Sequence, residues 1–180
     1  RMAWYLYDFG NSAYASVVLL AVYSAYFKNQ VVGGAEGSRL WGLSISVAMI
    51  LVAIAAPIMG AIADYSGAKK KFLFFFTALS VVFTALLFFT QKGTIATAIL
   101  FFLLSELGYR AAQVFYDALL PEIAAPEETG RIAGTGWAIG SAGGIVILLL
   151  ILPPILMTDS DLLVVRGTLV ATAIFFALAA

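Results

Sequence analysis

The chain has 180 residues, of which 63% are hydrophobic and 11% charged, and its mean hydropathy is +1.02. A soluble domain of this length needs far more polar surface, so the composition indicates a membrane protein. Ten basic and ten acidic residues cancel, which gives no basic face for nucleic acid. The lack of Cys and His excludes disulfides, thiol catalysis, thiolate metal sites and a histidine general base.

Apolar stretches of about the length that crosses a bilayer, about 20 residues, recur along the chain. They predict helices at 4–27, 40–62, 72–90, 95–119, 134–157 and 166–180, the last of which stops short of a full crossing. Polar connections are expected at 28–39, 63–71, 91–94, 120–133 and 158–165. Segments such as FLFFFTALSVVFTALLFF (72–89) are apolar on every face, which favours helices over the alternating strands of a barrel. The predicted fold class is all-α, a polytopic transmembrane helix bundle.

The first apolar segment is expected to be a membrane span and not a signal peptide. It contains Asp8 and Asn11 and lacks a small-residue cleavage site. Because the chain begins at Arg1 and an apolar run is still open at Ala180, we expect a fragment of a longer protein.

The distribution of basic residues predicts the orientation. The lysine run at 69–71 places that loop and the N-terminus in the cytoplasm by the positive-inside rule. Arg1 and Arg131 fall on the same side, and the opposite side carries Lys28, Arg39, Lys92 and Arg166. The short loops lead us to expect a bacterial inner membrane.

Polar side chains share one face of the first predicted helix. Asp8, Asn11 and Ser12 are spaced at i, i+3 and i+4, which brings them together on a helix. We interpret Asp8 and Asn11 as part of a solute or proton path, although a polar group near a membrane edge is also compatible with a purely structural role.

A second polar face lies on the fourth predicted helix. Glu106, Arg110, Gln113 and Asp117 are spaced at i, i+4, i+7 and i+11. A charge at the centre of a lone helix costs roughly 2.5–3.5 kcal/mol, so this face is expected to line a bundle interior or a wet cavity. Asp117 lies near the cytoplasmic end, as Asp8 does, and Arg110 lies about 10 Å deeper. The bland alternative is that Glu106 and Arg110 merely neutralise each other.

Glycines and prolines predict packing and bends. The fifth helix carries small residues at a spacing that allows two helices to approach closely, at Gly136, Gly140, Gly143 and Gly144. A hinge is the alternative interpretation of these glycines. Pro57 is expected to kink the second helix, and Pro153 and Pro154 to bend or end the fifth.

The connection after the second helix reads GAIADYSGAKKK (60–71). Gly60 is expected to allow close helix contact, Asp64 to end the helix at the interface, and Gly67 to make a turn with positive φ. The basic run that meets the anionic inner leaflet consists of Lys69, Lys70 and Lys71.

This connection resembles the G-x-x-x-D-x-x-G signature, followed by basic residues, of the major facilitator superfamily. Tyr65 and Ala68 stand where a basic residue is usual. Arg110 with Gln113 is similar to the R-x-x-Q of the superfamily's helix four, with Val114 in place of a glycine. Within the superfamily, WYLYDFGNSAY (4–14), FYDALLPEI (115–123) and GRIAGTGWAIGSAGG (130–144) resemble the vacuole effluxer family of vacuolar amino-acid exporters and their bacterial relatives.

The resemblance implies twelve helices in two six-helix halves, with the solute path between them and alternating access by rocking. Residues 1–180 would form the N-terminal half, and helices one and four would line the cavity. The resemblance also implies that Asp64 and its loop latch one half to the other and gate the cytoplasmic side.

The leading hypothesis is secondary active transport of a small organic solute, such as an amino acid, with a coupling proton. The expected partners are the solute, membrane lipid and the chain's own C-terminal half, with no nucleic acid, cofactor, metal or catalytic residue. An intramembrane enzyme is the first alternative, since helix four presents carboxylates. A non-transporting receptor or assembly module is the second.

Overall fold

The computed structural model describes the backbone of residues 1–180 and every side chain except those of residues 63 and 66. The described part of the chain is helical and contains no strand. Its six long helices are α1 (Met2–Val32), α2 (Gly34–Ser66), α3 (Lys69–Leu86), α4 (Ile95–Ala118), α5 (Thr129–Met157) and α6 (Leu162–Ala179). A 3₁₀ turn, Leu87–Phe89, extends α3, and a short helix, Leu120–Ile123, follows α4.

Each of the six helices is long and apolar enough to cross a membrane. The predicted class, a polytopic transmembrane helix bundle, is therefore confirmed. The helices overlap the predicted ones, and four of the five connections between them are shorter than predicted; the connection between α3 and α4 is not.

The expected loop at 28–39 is wrong. Helix α1 continues to Val32, and α2 begins two residues later, at Gly34. Gly33 makes the turn with a φ of 88°, which a residue without a Cβ adopts readily. The turn is compact because Gly37 lies directly against the backbone of Lys28, where a Cβ would clash.

The expected incomplete crossing of the last helix is also wrong. Helix α6 begins at Leu162 because Asp161 caps it, accepting hydrogen bonds from the backbone N–H of Leu163 at 2.7 Å and of Val164 at 3.4 Å. The resulting 18 residues are long enough to span the bilayer.

Helix α1 is not regular along its length. It is α-helical over Met2–Tyr14 and Tyr23–Tyr26, and π-helical over Ala15–Ala21 and Phe27–Val32. Helix α5 runs through Pro153 and Pro154 to Met157, so these prolines do not end it. Pro57 lies inside α2, and the kink expected there stays a prediction.

The six helices pack as two groups of three. Helix α1 packs against α5 and α6, helix α4 packs against α2 and α3, and α3 also contacts α6. Helices α1 and α4 meet in the middle and are the most internal, with 44% of the residues buried in an apolar 18-residue stretch of each, against 6% in the corresponding stretch of α2. The two helices whose polar faces the sequence singled out therefore form the centre of the bundle.

Candidate functional site

Helices α1 and α4 meet through a ladder of stacked tyrosines, which the sequence analysis did not anticipate. Tyr14 stacks on Tyr109 with ring centroids 4.5 Å apart, and Tyr7 stacks on Tyr116 at 5.0 Å. Both helices repeat tyrosine at a seven-residue spacing, which is two helical turns. That spacing, present in both helices, is the signal that could have revealed the ladder.

Hydrogen bonds fix the orientation of the ladder. The hydroxyl groups of Tyr14 and Ser105 lie 3.0 Å apart, and those of Tyr7 and Thr77 lie 2.8 Å apart. Trp4 stacks on Tyr116 at 4.3 Å and donates its indole N–H to the Tyr116 carbonyl at 3.2 Å. These bonds hold α1, α3 and α4 in one register.

Beside the ladder, Glu106 and Arg110 form an ion pair inside the membrane span. Arg110 Nε lies 2.9 Å from Glu106 Oε1. Glu106 is fully buried, whereas the Arg110 side chain keeps 29% of its surface exposed and its guanidinium lies 5.2 Å from the centre of the Tyr109 ring. Glu106 Oε2 has no hydrogen-bond partner among the described residues. The pair predicted as the bland alternative therefore exists, but one end of it is buried and the other is accessible.

Gln113 and Asp117 continue the accessible face of α4. Gln113 is partly exposed and Asp117 is exposed, and Gln113 Nε2 donates to the Tyr109 hydroxyl at 3.3 Å. Together with Arg110 they form a polar stripe along one edge of the tyrosine ladder.

Asp8 and Asn11 lie one turn apart on α1 and differ in burial. Asp8 is partly exposed and is close enough to Asp117 for their charges to interact, so the structure brings together the two carboxylates that were predicted to share one end. Asn11 is buried with 1% of its surface exposed, and its Oδ1 has no hydrogen-bond partner among the described residues. The structure therefore assigns Asn11 to the interior of the bundle and not to the accessible polar face.

The glycines of α5 form the surface on which α1 packs. A Cβ added to Gly140 would lie 2.6 Å from Asp8 Oδ2, and one added to Gly143 would clash with the backbone of Phe9. Gly136 is covered by the Trp4 ring, and Gly144 by Ser16. All four glycines contact α1, in the arrangement that the close-packing interpretation predicts.

The connection between α2 and α3 is held by one lysine. Lys69 Nζ lies 3.1 Å from Asp64 Oδ1 and 3.1 Å from Glu122 Oε1, and it donates to the Ala118 carbonyl at 3.3 Å. Glu122 was not among the predicted site residues. Its carboxylate joins this loop to the end of α4, so Lys69 clamps two connections at the same end of the bundle.

The other residues singled out in the segment 60–71 differ in their surroundings. Gly67 ends α2 with a φ of 62°, the left-handed conformation expected for it. The close helix contact expected at Gly60 is wrong, because no described atom lies within 4 Å of a Cβ placed there. Lys70 and Lys71 are exposed and lie within 4.0 Å of no described carboxylate.

A second ion-pair cluster fastens the start of α1 to the start of α5. Arg1 lies 2.6 Å from Glu128, which also pairs with Arg131 at 2.5 Å. Arg1 also donates to the Ile123 carbonyl at 3.0 Å. Its hydrogen bond and charge lower the pKa of Glu128, which keeps this carboxylate ionised.

Comparisons with known proteins agree with this architecture. The family described as "Vacuole effluxer Atg22 like" matches residues 40–179. A Bacillus subtilis protein described as an uncharacterized MFS-type transporter, YxiO, is 32% identical over 182 aligned residues. That alignment covers 99% of this chain and 42% of the relative, so the chain spans less than half of the relative's length. No solved structure matches the chain.

Proposed function

The chain belongs to the Atg22-like vacuole effluxer family within the major facilitator superfamily, and we propose that it is the N-terminal half of a secondary transporter. In this proposal the full-length protein moves a small organic solute across a membrane by alternating access. The path lies on the accessible polar face that Arg110, Gln113, Asp117 and Asp8 present at the centre of the bundle.

The observation that carries the proposal is the asymmetric ion pair of α4. Glu106 is completely buried, and Arg110 reaches from it toward the accessible face. Ionisable groups at membrane depth are costly and lie where they serve transport or proton movement. A pair that only cancelled its own charge would not need one accessible end in the most central helix.

The chemistry of this face suits a solute with two opposite charges. The Arg110 guanidinium offers donors in a planar fork that matches a carboxylate. Asp8 and Asp117 offer two interacting carboxylates for an ammonium group. We therefore propose amino acids as the first solute class to test.

The same geometry provides a route for proton coupling. When a solute carboxylate draws Arg110 away, Glu106 loses the partner of its Oε1 and is left as an unpaired buried carboxylate. An unpaired buried charge is strongly unfavourable, so this carboxylate takes up a proton, which removes the charge. Release of the solute would return Arg110 to Glu106 and release the proton.

Two further expectations belong to the proposal. The end of the helix bundle that carries the ion pairs of Lys69 and Glu128 faces the cytoplasm of a bacterial cell, so the N-terminus is inside. The loop of Asp64 and Lys69 then acts at the cytoplasmic side as a gate toward the C-terminal half.

Transport by the full-length protein in proteoliposomes tests the proposal. We expect uptake of at least one member of a panel of radiolabelled amino acids under an imposed pH gradient. Arg110→Ala should reduce that uptake by at least about tenfold, which corresponds to the loss of about 1.4 kcal/mol of interaction, and Asp8→Asn should also reduce it. Lys92→Gln is the matched control, because Lys92 is a cation in the connection between α3 and α4, outside the membrane spans.

Two results would overturn these assignments. Arg110→Ala and Asp8→Asn proteins that insert normally and transport at the wild-type rate would remove the residues from the path. A full-length protein with no flux and no solute-dependent stabilisation across a broad panel would support a receptor or assembly module instead.

A further inference from the structure

A groove lies between α3 and α6 on the outer surface of the bundle, away from the polar face of α4. Its volume is about 330 Å³, and Tyr7 of α1 forms part of its floor. Within the α3 span, Phe74 is 76% exposed and Val82 52% exposed, so this wall of the groove faces the bilayer. The opposite wall is made of small residues of α6, including Ala177.

The groove is apolar along its length. Its walls are mainly aliphatic and aromatic carbon, from Leu73, Phe74, Ala78, Val81, Val82 and Ala177. Apart from Lys70 at one end, the polar side chains that line it are those of Tyr7 and Thr77, whose hydroxyls are hydrogen-bonded to each other at 2.8 Å. Because these hydroxyls are already paired, an apolar occupant leaves no buried polar group unsatisfied.

One end of the groove is marked by a cation. Lys70 borders it at the beginning of α3 and is exposed. Its neighbour Lys69 is neutralised by Asp64 and Glu122, but Lys70 pairs with no described carboxylate. The end of the groove nearest the interface therefore carries a positive charge that no described carboxylate compensates.

The length of the groove matches one leaflet. Lys70 and Val82 are twelve residues apart on α3, which corresponds to about 18 Å along the helix. The hydrocarbon core of a bilayer is about 30 Å thick, so the groove runs from the interface to about the bilayer midplane. A single acyl chain with its headgroup at Lys70 fits this depth.

From the groove's apolar walls, its length and its one uncompensated cation, we propose that it binds an anionic phospholipid. One acyl chain lies between α3 and α6, against Ala78 and Ala177, and the phosphate pairs with Lys70. The lipid belongs to the leaflet in which α3 begins. This site does not depend on the proposed transport function, and it makes lipid part of the contact between the two three-helix groups.

Native mass spectrometry of the full-length protein in detergent tests the site, with dioleoyl phosphatidylglycerol and dioleoyl phosphatidylcholine as probes. We expect one phosphatidylglycerol to bind more tightly than phosphatidylcholine. Lys70→Gln should weaken the first phosphatidylglycerol about fivefold, the factor expected for one lysine near an anionic headgroup. Lys71→Gln is the matched control, because Lys71 has the same charge and is exposed but does not line the groove.

Filling the groove tests the acyl-chain half of the proposal. Ala78→Phe should abolish tight binding of the first lipid, whereas Ala96→Phe, at an exposed position of α4, should not. Equal effects of Lys70→Gln and Lys71→Gln would reduce the site to general surface charge and overturn the proposal. The proposal would also be overturned if Ala78→Phe left lipid binding unchanged. That result is the one expected if residues that follow Ala180 fill the groove in the full-length protein and the lipid binds elsewhere. Transport assays play no part in either outcome.

Discussion

Glu106 and Arg110 depend on each other for the energetics of their charges. Glu106 has no exposed surface, and Arg110 has 29% of its side chain exposed. Loss of its partner therefore costs more free energy for the Glu106 charge than for the Arg110 charge. Without Arg110, the Glu106 carboxylate is a buried charge without a counter-ion. Without Glu106, the Arg110 guanidinium can still reach the accessible face.

This asymmetry predicts the outcome of a double-mutant cycle. Arg110→Gln should destabilise the full-length protein by about 3 kcal/mol, the scale for an uncompensated buried charge, and Glu106→Gln by less. The double variant should be more stable than the sum of the single effects implies. Thermal unfolding in detergent measures all three variants. Strictly additive costs would mean that the two side chains are not coupled.

The stacked tyrosines show what spacing reveals at the scale of single residues. Their seven-residue repeat in α1 and α4 is visible in the sequence, but a repeat in one helix does not identify its partner. Tyr14 pairs with Tyr109, and Tyr7 with Tyr116, because the two helices run antiparallel and meet at one register.

At the scale of elements, the contact between α1 and α5 depends on the absence of side chains. Gly143 lies against the backbone of Phe9, whereas Gly134, on the same helix, has no described atom within 4 Å of an added Cβ. The two glycines therefore allow a comparison within one helix, in which only one position faces α1.

Gly143→Ala should destabilise the protein by about 1–3 kcal/mol, the range for overpacking, because backbone on both sides must move apart. Gly134→Ala should be neutral or stabilising by up to about 1 kcal/mol, since alanine favours the helix. Thermal unfolding of the two full-length variants in detergent measures the difference. If Gly143→Ala is as stable as Gly134→Ala, the close packing of α1 on α5 is incorrect.

The irregular part of α1 belongs to the same scale. Its first π-helical segment, Ala15–Ala21, directly follows the part of α1 that carries the tyrosine ladder. The largely apolar sequence of this segment gave no sign of the change in helix type.

For the whole molecule, the Lys69 clamp joins connections that are distant in sequence. It ties the end of α2 and the start of α3 to the end of α4 through Asp64, Glu122 and the Ala118 carbonyl. Because Asp64 and Glu122 are themselves largely exposed, the clamp is expected to restrain local opening more than it raises global stability.

Hydrogen exchange of the full-length protein tests this restraint. Lys69→Gln should speed amide exchange in residues 64–71 and also in residues 118–123, because both connections lose a shared partner. Lys71→Gln removes the same charge without breaking the clamp, so its exchange should match the wild type. Faster exchange confined to residues 64–71 would show that Glu122 is not held by Lys69.

The sequence by itself determined the class of this protein and the approximate positions of its six apolar helices. Hydropathy and helical periodicity are local properties, so they also identified the polar faces of α1 and α4 and the small-residue face of α5. The predicted end of α1 and the predicted start of α6 were wrong, because the Gly33 turn and the Asp161 cap make the connections there shorter than their composition suggested.

The tertiary structure decided which faces meet. Spacing shows that Asn11 and Asp8 share a face but not that Asn11 is buried while Asp8 is partly exposed, because burial depends on the neighbouring helices. For the same reason no described atom comes close to Gly60, whereas Gly143 lies against the backbone of Phe9, and Lys69 pairs with Glu122 in a connection far along the chain. A sequence records the chemistry of each surface, and only packing in three dimensions supplies the surface opposite it.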